Sequence, residues 1–399
     1  MKKLRENSLR DINLTQLAKN ALRALLVKPG DCLYIKSGIH TQAFVEEIAF
    51  QSALLGAYPI ISTSSDHYFK RLLEEIPEDW FKTAPRHEIE LVKAIDGYIV
   101  IEPYEDPSIL LGHRVKLAAY REGRSPIREI IYSKPGKKWL YMGWPSRAMA
   151  RKYRISHREL KRLILGGCLI DHDKLRSNCE ALRKMLENAR YVHIKDTKGT
   201  DLKLEITGRR INLDDGIATE EKHRAGDLGG NLPAGEVFIA PVETYGEGKL
   251  YCPLTIDKLT EEIIKGATLV FKNGRLILEE CSAEEGEEAL KDTVKRMLDL
   301  DLKKYNQANA IAIGELGIGL NPMIDRAIGY ILTDEKIGGS VHVAIGDNQG
   351  YGGVNKSNLH WDFVTEAKAT IEVEYLSGEK HVIMERGKLH LPSQYTEPS

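Results

Sequence analysis

Several polar side chains in the second half of the chain stand where a core pattern would not put them. The run S-N-L-H-W-D-F-V, Ser357 to Val364, alternates between apolar and polar residues from Leu359 to Phe363. As a β-strand it places Leu359, Trp361 and Phe363 on one face and His360 with Asp362 on the other. V-H-V-A-I, residues 341–345, repeats the arrangement, with Val341, Val343 and Ile345 together and His342 opposed to them. One histidine on such a strand reads most simply as a hydrogen-bonded core residue. Two of them, with an aspartate two positions beyond the second and all within 21 residues, make a ligand set for zinc, cobalt, manganese or iron.

Three glutamates extend the set. Glu315 follows the apolar run A-I-A-I-G and precedes more glycines, at the tip of an expected strand Ala310 to Gly314. A carboxylate there is desolvated unless a cation meets it. Glu236 in N-L-P-A-G-E-V-F-I-A-P reads by itself as an exposed strand start. Glu335, in T-D-E-K-I-G-G-S-V-H, reads by itself as a charged loop residue.

The elements that must hold these residues change character along the chain. Short apolar runs at 31–38, 57–62, 97–102 and 139–144 alternate with helical segments such as Gln42 to Leu55. That alternation predicts an α/β N-terminal domain whose parallel sheet is covered on both faces. A helical, basic stretch from about Ser146 to Ala189 leads into strands. Hairpins are expected at Val192–Ile206 and Thr268–Leu278, the second turning on Asn273-Gly274. Ser282 to Glu285 has capping-box spacing, which places the start of a helix there that runs to about Lys304. The expected division is residues 1–185, the α/β domain, and 186–399, an α+β strand-rich metal-binding domain.

Composition narrows the function classes. The 399 residues carry 57 basic and 58 acidic side chains, a formal net charge of −1. That balance gives no electrostatic case for nucleic acid or an anionic membrane. Arg121, Arg124 and Arg128 with Lys134, Lys137 and Lys138 form a local basic run, read as a solvated loop because Pro and Gly interrupt it. Cys32, Cys168, Cys179, Cys252 and Cys281 are scattered and odd in number, so a reduced, cytoplasmic protein is expected. M-K-K-L-R-E-N-S carries no apolar run, so no signal peptide is expected, and no stretch approaches membrane-spanning length. No Gly-rich phosphate-binding motif follows any expected strand.

Four segments in order, N-L-P-A-G-E-V-F-I-A-P, G-E-L-G-I-G-L-N-P, D-E-K-I-G-G-S-V-H-V-A-I-G and G-G-V-N-K-S-N-L-H-W-D-F, resemble the aminopeptidase T / aminopeptidase S family of metallopeptidases. The first half, with a helix ahead of P-G-D-C-L-Y-I, is similar to that family too. The resemblance implies a homodimeric, two-metal exopeptidase acting on peptides with a free N-terminus. It implies metal ligands at Glu236, Glu315, Glu335, His342, His360 and Asp362, and a site tyrosine for which Tyr351 is the candidate. On that reading two divalent ions (Zn, Co, Mn or Mg) activate a water and polarise the scissile carbonyl. Glu315 bridges them, Glu315 or Glu335 serves as general base, and Tyr351 donates to the oxyanion.

Two other readings use the same residues. His342, His360 and Asp362 also suit a single Fe(II) in a ring-cleaving dioxygenase, and some such enzymes are similar to this peptidase family in sequence. Three further glutamates beside one 2+ charge argue against that option. The remaining reading is non-catalytic: the α/β half binds a small ligand and the polar residues are merely paired.

Overall fold

A computed structural model describes residues 12–133, 136–366 and 368–390. It divides into two units, Met1–His172 with Gly216–Ala234, and Asp173–Asp215 with Gly235–Ser399. The sequence-based cut at 185 falls at the end of helix His172–Leu186, nearly all of which lies in the second unit.

In the first unit five parallel strands run in the order β2 (Tyr58–Ser64), β1 (Cys32–Gly38), β3 (Gly97–Ile101), β4 (Lys138–Met142) and β8 (Gly229–Leu232). The chain alternates around β1 in the way the apolar run implies. Tyr34 joins Tyr98 beneath Val92, Ile127 and Ile131 of two helices. Leu33 and Ile35 point the other way, and both are fully buried, as are Leu17 and Leu25 of the N-terminal helical segment and Phe44 and Ile48 of helix Gln42–Leu54. The expected parallel sheet is present.

The basic run at 121–138 is not a loop. Helices Arg114–Gly123 and Ser125–Tyr132 occupy most of it. Pro126 sits in the first turn of the second helix, where its missing N–H has no intrahelical partner to lose. Arg124 pairs with Glu88 at 2.6 Å and Lys138 with Asp31 at 2.5 Å, so part of the charge is consumed internally. Lys134 lies outside the described residues.

The second unit is built from antiparallel strands. One sheet has eight, in the order β12 (Arg275–Leu276), β11 (Ile263–Lys272), β10 (Gly246–Ile256), β6 (Asp201–Glu205), β5 (Ala189–Lys195), β16 (Thr370–Tyr375), β17 (Lys380–Glu385) and β18 (Lys388–Leu389). The other has five: β15 (His360–Val364), β14 (Val341–Gly346), β13 (Ile313–Gly319), β9 (Glu236–Ile239) and β7 (Ile211–Asp214). Both expected hairpins form, and Asn273 and Gly274 have φ of 52° and 70°, as a type I′ turn requires. Among the described residues no helix is long and apolar enough to cross a membrane.

Two expectations are corrected here. The helix expected from Ser282 starts instead at Glu287 and ends at Tyr305. Ser282 exchanges backbone hydrogen bonds with Thr268, and Lys265 pairs with Glu285. The chain therefore stays extended until Gly286, whose φ of 82° makes the turn into the helix. The strand expected at Ala310–Gly314 is β13, three residues further on, so Glu315 lies within the strand and not at its tip.

Trp361 ties the five-stranded sheet to the eight-stranded one. Its indole is fully buried, stands 5.0 Å from the Phe363 ring, and donates Nε1–H to the Thr255 hydroxyl of β10 at 3.0 Å. Trp361→Ala is expected to destabilise the protein by about 3–5 kcal/mol, read as a lowered denaturant midpoint.

Candidate metal centre

Strand register decides which side chains meet. Asp362 stands opposite Ala344, and Ala344 opposite Glu315. His342 stands opposite Gly317, His360 opposite Gly346, and Glu236 between Gly319 and Asp214. Opposed residues of an antiparallel pair share a face, as do positions two apart on one strand. Asp214, Glu236, Glu315, His342, His360 and Asp362 therefore all project from the same side of the sheet. Val237, Leu316, Ile318, Val341, Val343, Ile345, Trp361 and Phe363 project from the other, all buried.

Glycine is what lets the polar face close up. A Cβ on Gly317 would lie 2.0 Å from ring atoms of His342, so the imidazole lies over a strand position with no side chain. On Gly319 it would lie 2.2 Å from the Ile337 carbonyl oxygen. These glycines look like loop residues in sequence, yet they are strand residues facing crowded neighbours.

Glu315 joins two groups of donor atoms. Its Oε1 is 3.3 Å from Nε2 of His342, which is 3.5 Å from Oε2 of Glu236. Its Oε2 is 3.5 Å from Nε2 of His360, which is 3.1 Å from Oδ1 of Asp362. One atom each from Glu315, His360 and Asp362 lie within 4.8 Å of one another, a spacing that fits one cation. His360 is aimed by the Asp347 carbonyl oxygen, 2.8 Å from Nδ1, which leaves Nε2 toward the carboxylates. Oε2 of Glu236 is buried and makes no hydrogen bond, so its lone pairs are available to a cation. The residues fit a metal.

The sixth expected ligand reaches the cluster by another route. Glu335 follows helix Ile331–Asp334, and its Oε2 is 3.3 Å from Nζ of Lys336. Lys336 is fully buried and also lies 2.5 Å from Oε1 of Glu236 and 3.2 Å from Oδ2 of Asp214. Sequence reasoning missed Lys336 and Asp214. The signals were there in D-E-K and N-L-D-D-G, but a lysine after a glutamate gives no hint that it is buried. Lys258 stands 4.0 Å from Asp362 at the other end. The Tyr351 ring is 5.4 Å from the His360 ring and 5.5 Å from Phe238.

The charges perturb one another strongly. Burial would lower both imidazoles, but the carboxylates prevail: the Glu315 hydrogen bond and the field of Glu236 raise His342 to about 9. Asp362 chiefly raises His360 to about 10. Burial pushes Glu236 up to about 8 against the pull of Lys336, and pushes Glu335 up as well. Burial would also raise Asp362, yet His360 holds it below the usual carboxylate range. Burial, then Glu315 and Asp362, drive the Tyr351 phenol far upward, so it remains a proton donor.

A family model described as thermophilic metalloprotease (M29) matches residues 10–389. The chain belongs to that family. Wild-type AmpT from Thermus thermophilus has a similar solved structure, at TM-score 0.73 and 21% identity over 94% of this chain and 98% of that one. The 2,5-dihydroxypyridine dioxygenase of Pseudomonas putida KT2440 is similar at TM-score 0.58 and 17% identity, over 96% and 98%. At these identities both likenesses speak to fold alone. A search of curated proteins finds no match.

Two outcomes follow for this metalloprotease. Gly317→Ala should push the His342 ring aside and weaken metal binding by about 10-fold or more, measured by calorimetric titration. The raised histidines give a pH signature in metal-stripped protein. Their folded values of about 9 and 10 exceed the usual 6.5, so their stabilising contacts are fully present below about pH 6.5 and fade as pH rises through 9 to 10. A cation that takes Nε2 must expel those protons. Metal added at pH 7 in weak buffer should acidify the solution, and apparent affinity should climb toward pH 10; no proton release at pH 7 would contradict a protonated pair.

Proposed function

We infer that the protein is a metal-dependent aminopeptidase with two divalent ions at this centre. One ion is assigned to Glu315, His360 and Asp362, the other to Glu236, Glu315 and His342, with Glu335 close behind through Lys336. The observation that carries the reading is Glu315, which offers one oxygen to each histidine in the manner of a bridging carboxylate. Membership of a metalloprotease family supports the hydrolytic class, and the AmpT-like fold over nearly the whole chain supports the exopeptidase choice.

When bound, the ions would polarise the scissile carbonyl and bring the pKa of a water near neutrality. The rest falls to this chain. Glu315 and Glu335 are the two candidate general bases for the attacking water, and Glu335 is the one whose oxygens are not both committed to the bridge. The Tyr351 phenol, kept protonated by burial and then by its carboxylate neighbours, donates to the oxyanion. A substrate's free α-amine would be met at a metal position or by a carboxylate of the cluster, which selects N-termini over internal bonds. The reading includes a cytoplasmic homodimer, checked by light scattering.

A single-iron dioxygenase shares the His342, His360 and Asp362 atoms. It has no use for Glu236, which is aimed at His342 and otherwise unpartnered on that oxygen. Metal-stripped protein re-supplied with Zn, Co, Mn or Fe is assayed on a panel of aminoacyl-nitroanilides. Hydrolysis is expected with Zn, Co or Mn. His360→Ala and Asp362→Ala should each remove it by at least about 100-fold with the fold intact by circular dichroism. Full activity in either variant sinks the assignment.

A further inference from the structure

Donor atoms on the polar face of the five-stranded sheet fall into three groups linked by shared carboxylates, and among the described residues the first alone brings one atom from each of three residues within 4.8 Å of one another. The first is framed by Oδ1 of Asp362, Nε2 of His360 and Oε2 of Glu315. The second is framed by Oε1 of Glu315, Nε2 of His342 and Oε2 of Glu236. The third is framed by Oε1 of Glu236, Oδ2 of Asp214 and Oε2 of Glu335, and it already holds a cation, the Lys336 ammonium. Glu315 links the first position to the second, and Glu236 links the second to the third.

The two metal positions therefore differ in what stands behind them. Asp362, at the outer end, is backed by Lys258 at 4.0 Å, a side chain about one third exposed and screened by solvent. Glu236, at the inner end, is clamped by an ammonium with no exposure at 2.5 Å. That clamp has two effects of the same sign. It withdraws one of the two Glu236 oxygens, so Glu236 meets the second position with a single oxygen. It also sets a fixed positive charge, in a medium that screens poorly, beside that position. With every carboxylate ionised, Asp214, Glu236, Glu315, Glu335 and Asp362 oppose one built-in ammonium. The surplus matches two divalent ions, but it is unevenly distributed.

We propose that Lys336 is a built-in third cation that makes the two metal positions unequal, the Glu315–His360–Asp362 position tight and the Glu236–Glu315–His342 position weak and exchangeable. The proposal rests on the two-ion reading above. Lys336 is a positioning residue: it acts through Glu236 and touches no substrate. A merely structural ion pair would hold the sheet together without separating two binding steps.

The test is a Co(II) titration of the metal-stripped full chain, followed by calorimetry and visible absorption. The wild type should fill in two separated steps, the first at least about 10-fold tighter than the second. Lys336→Met and Lys336→Gln, which remove the charge, should tighten the second step by at least about 10-fold and leave the first within about threefold. A wild type that takes one ion where Lys336→Met takes two supports the inference in its strongest form. Two equal steps in the wild type overturn it, whether or not the variants fold. So does a second step that is unchanged or weaker in a folded Lys336→Met. Those results leave the two-ion reading standing, whereas uptake of no Co(II), or of one ion in wild type and variants alike, overturns that reading and this inference with it.

Discussion

Crowding like charges on one buried sheet face is the constraint to which the rest of the second unit answers. Glu236, Glu315, Asp362 and Asp214 are buried within one strand-to-strand network, where water cannot screen them. Positive charge, or a proton on the carboxylates themselves, makes such a face stable. The chain supplies some of the positive charge, as Lys336 and two raised imidazoles. The apolar side of the same sheet supplies the rigidity, since Trp361 and Phe363 cannot shift without opening a cavity.

Much of this was legible in the sequence, because strand periodicity is a local property. The alternation in L-H-W-D-F and V-H-V-A-I assigns faces before any contact is known, and the register then brings those faces together. What escaped notice is what depends on distant partners. Glu315 looked like a strand tip because glycines follow it, and glycine is poor in strands unless a neighbour needs the space. The space is needed by His342, which comes from another strand. Ser282 has capping-box spacing, but its backbone is committed to Thr268. β8, read from G-G-N-L, has no strand signature; Trp139 crowds the place where a Gly229 side chain would be. Lys336 was invisible for the same reason, since nothing local reveals that a lysine is enclosed.

The likeness to both AmpT and a dioxygenase shows how little this fold commits a chain to one reaction. Two histidines and one aspartate are common ground for several metals and chemistries. The added carboxylates, and how each of their oxygens is spent, are what distinguish a hydrolytic centre from an oxidative one. On the two-ion reading proposed above, the orientation of individual carboxylate oxygens is what makes that difference.

β13 shows what that demands of folding. Its seven residues include Gly314, Gly317 and Gly319, a composition with scant preference for an extended chain. It is held by β9 on one side and β14 on the other, whose own residues come from points far apart in the sequence. Such a strand has no independent existence in a partly folded chain, because loop closure must precede its formation. The donor atoms thus assemble together or not at all. Partial unfolding would abolish the centre in one cooperative step and would not leave a looser version of it.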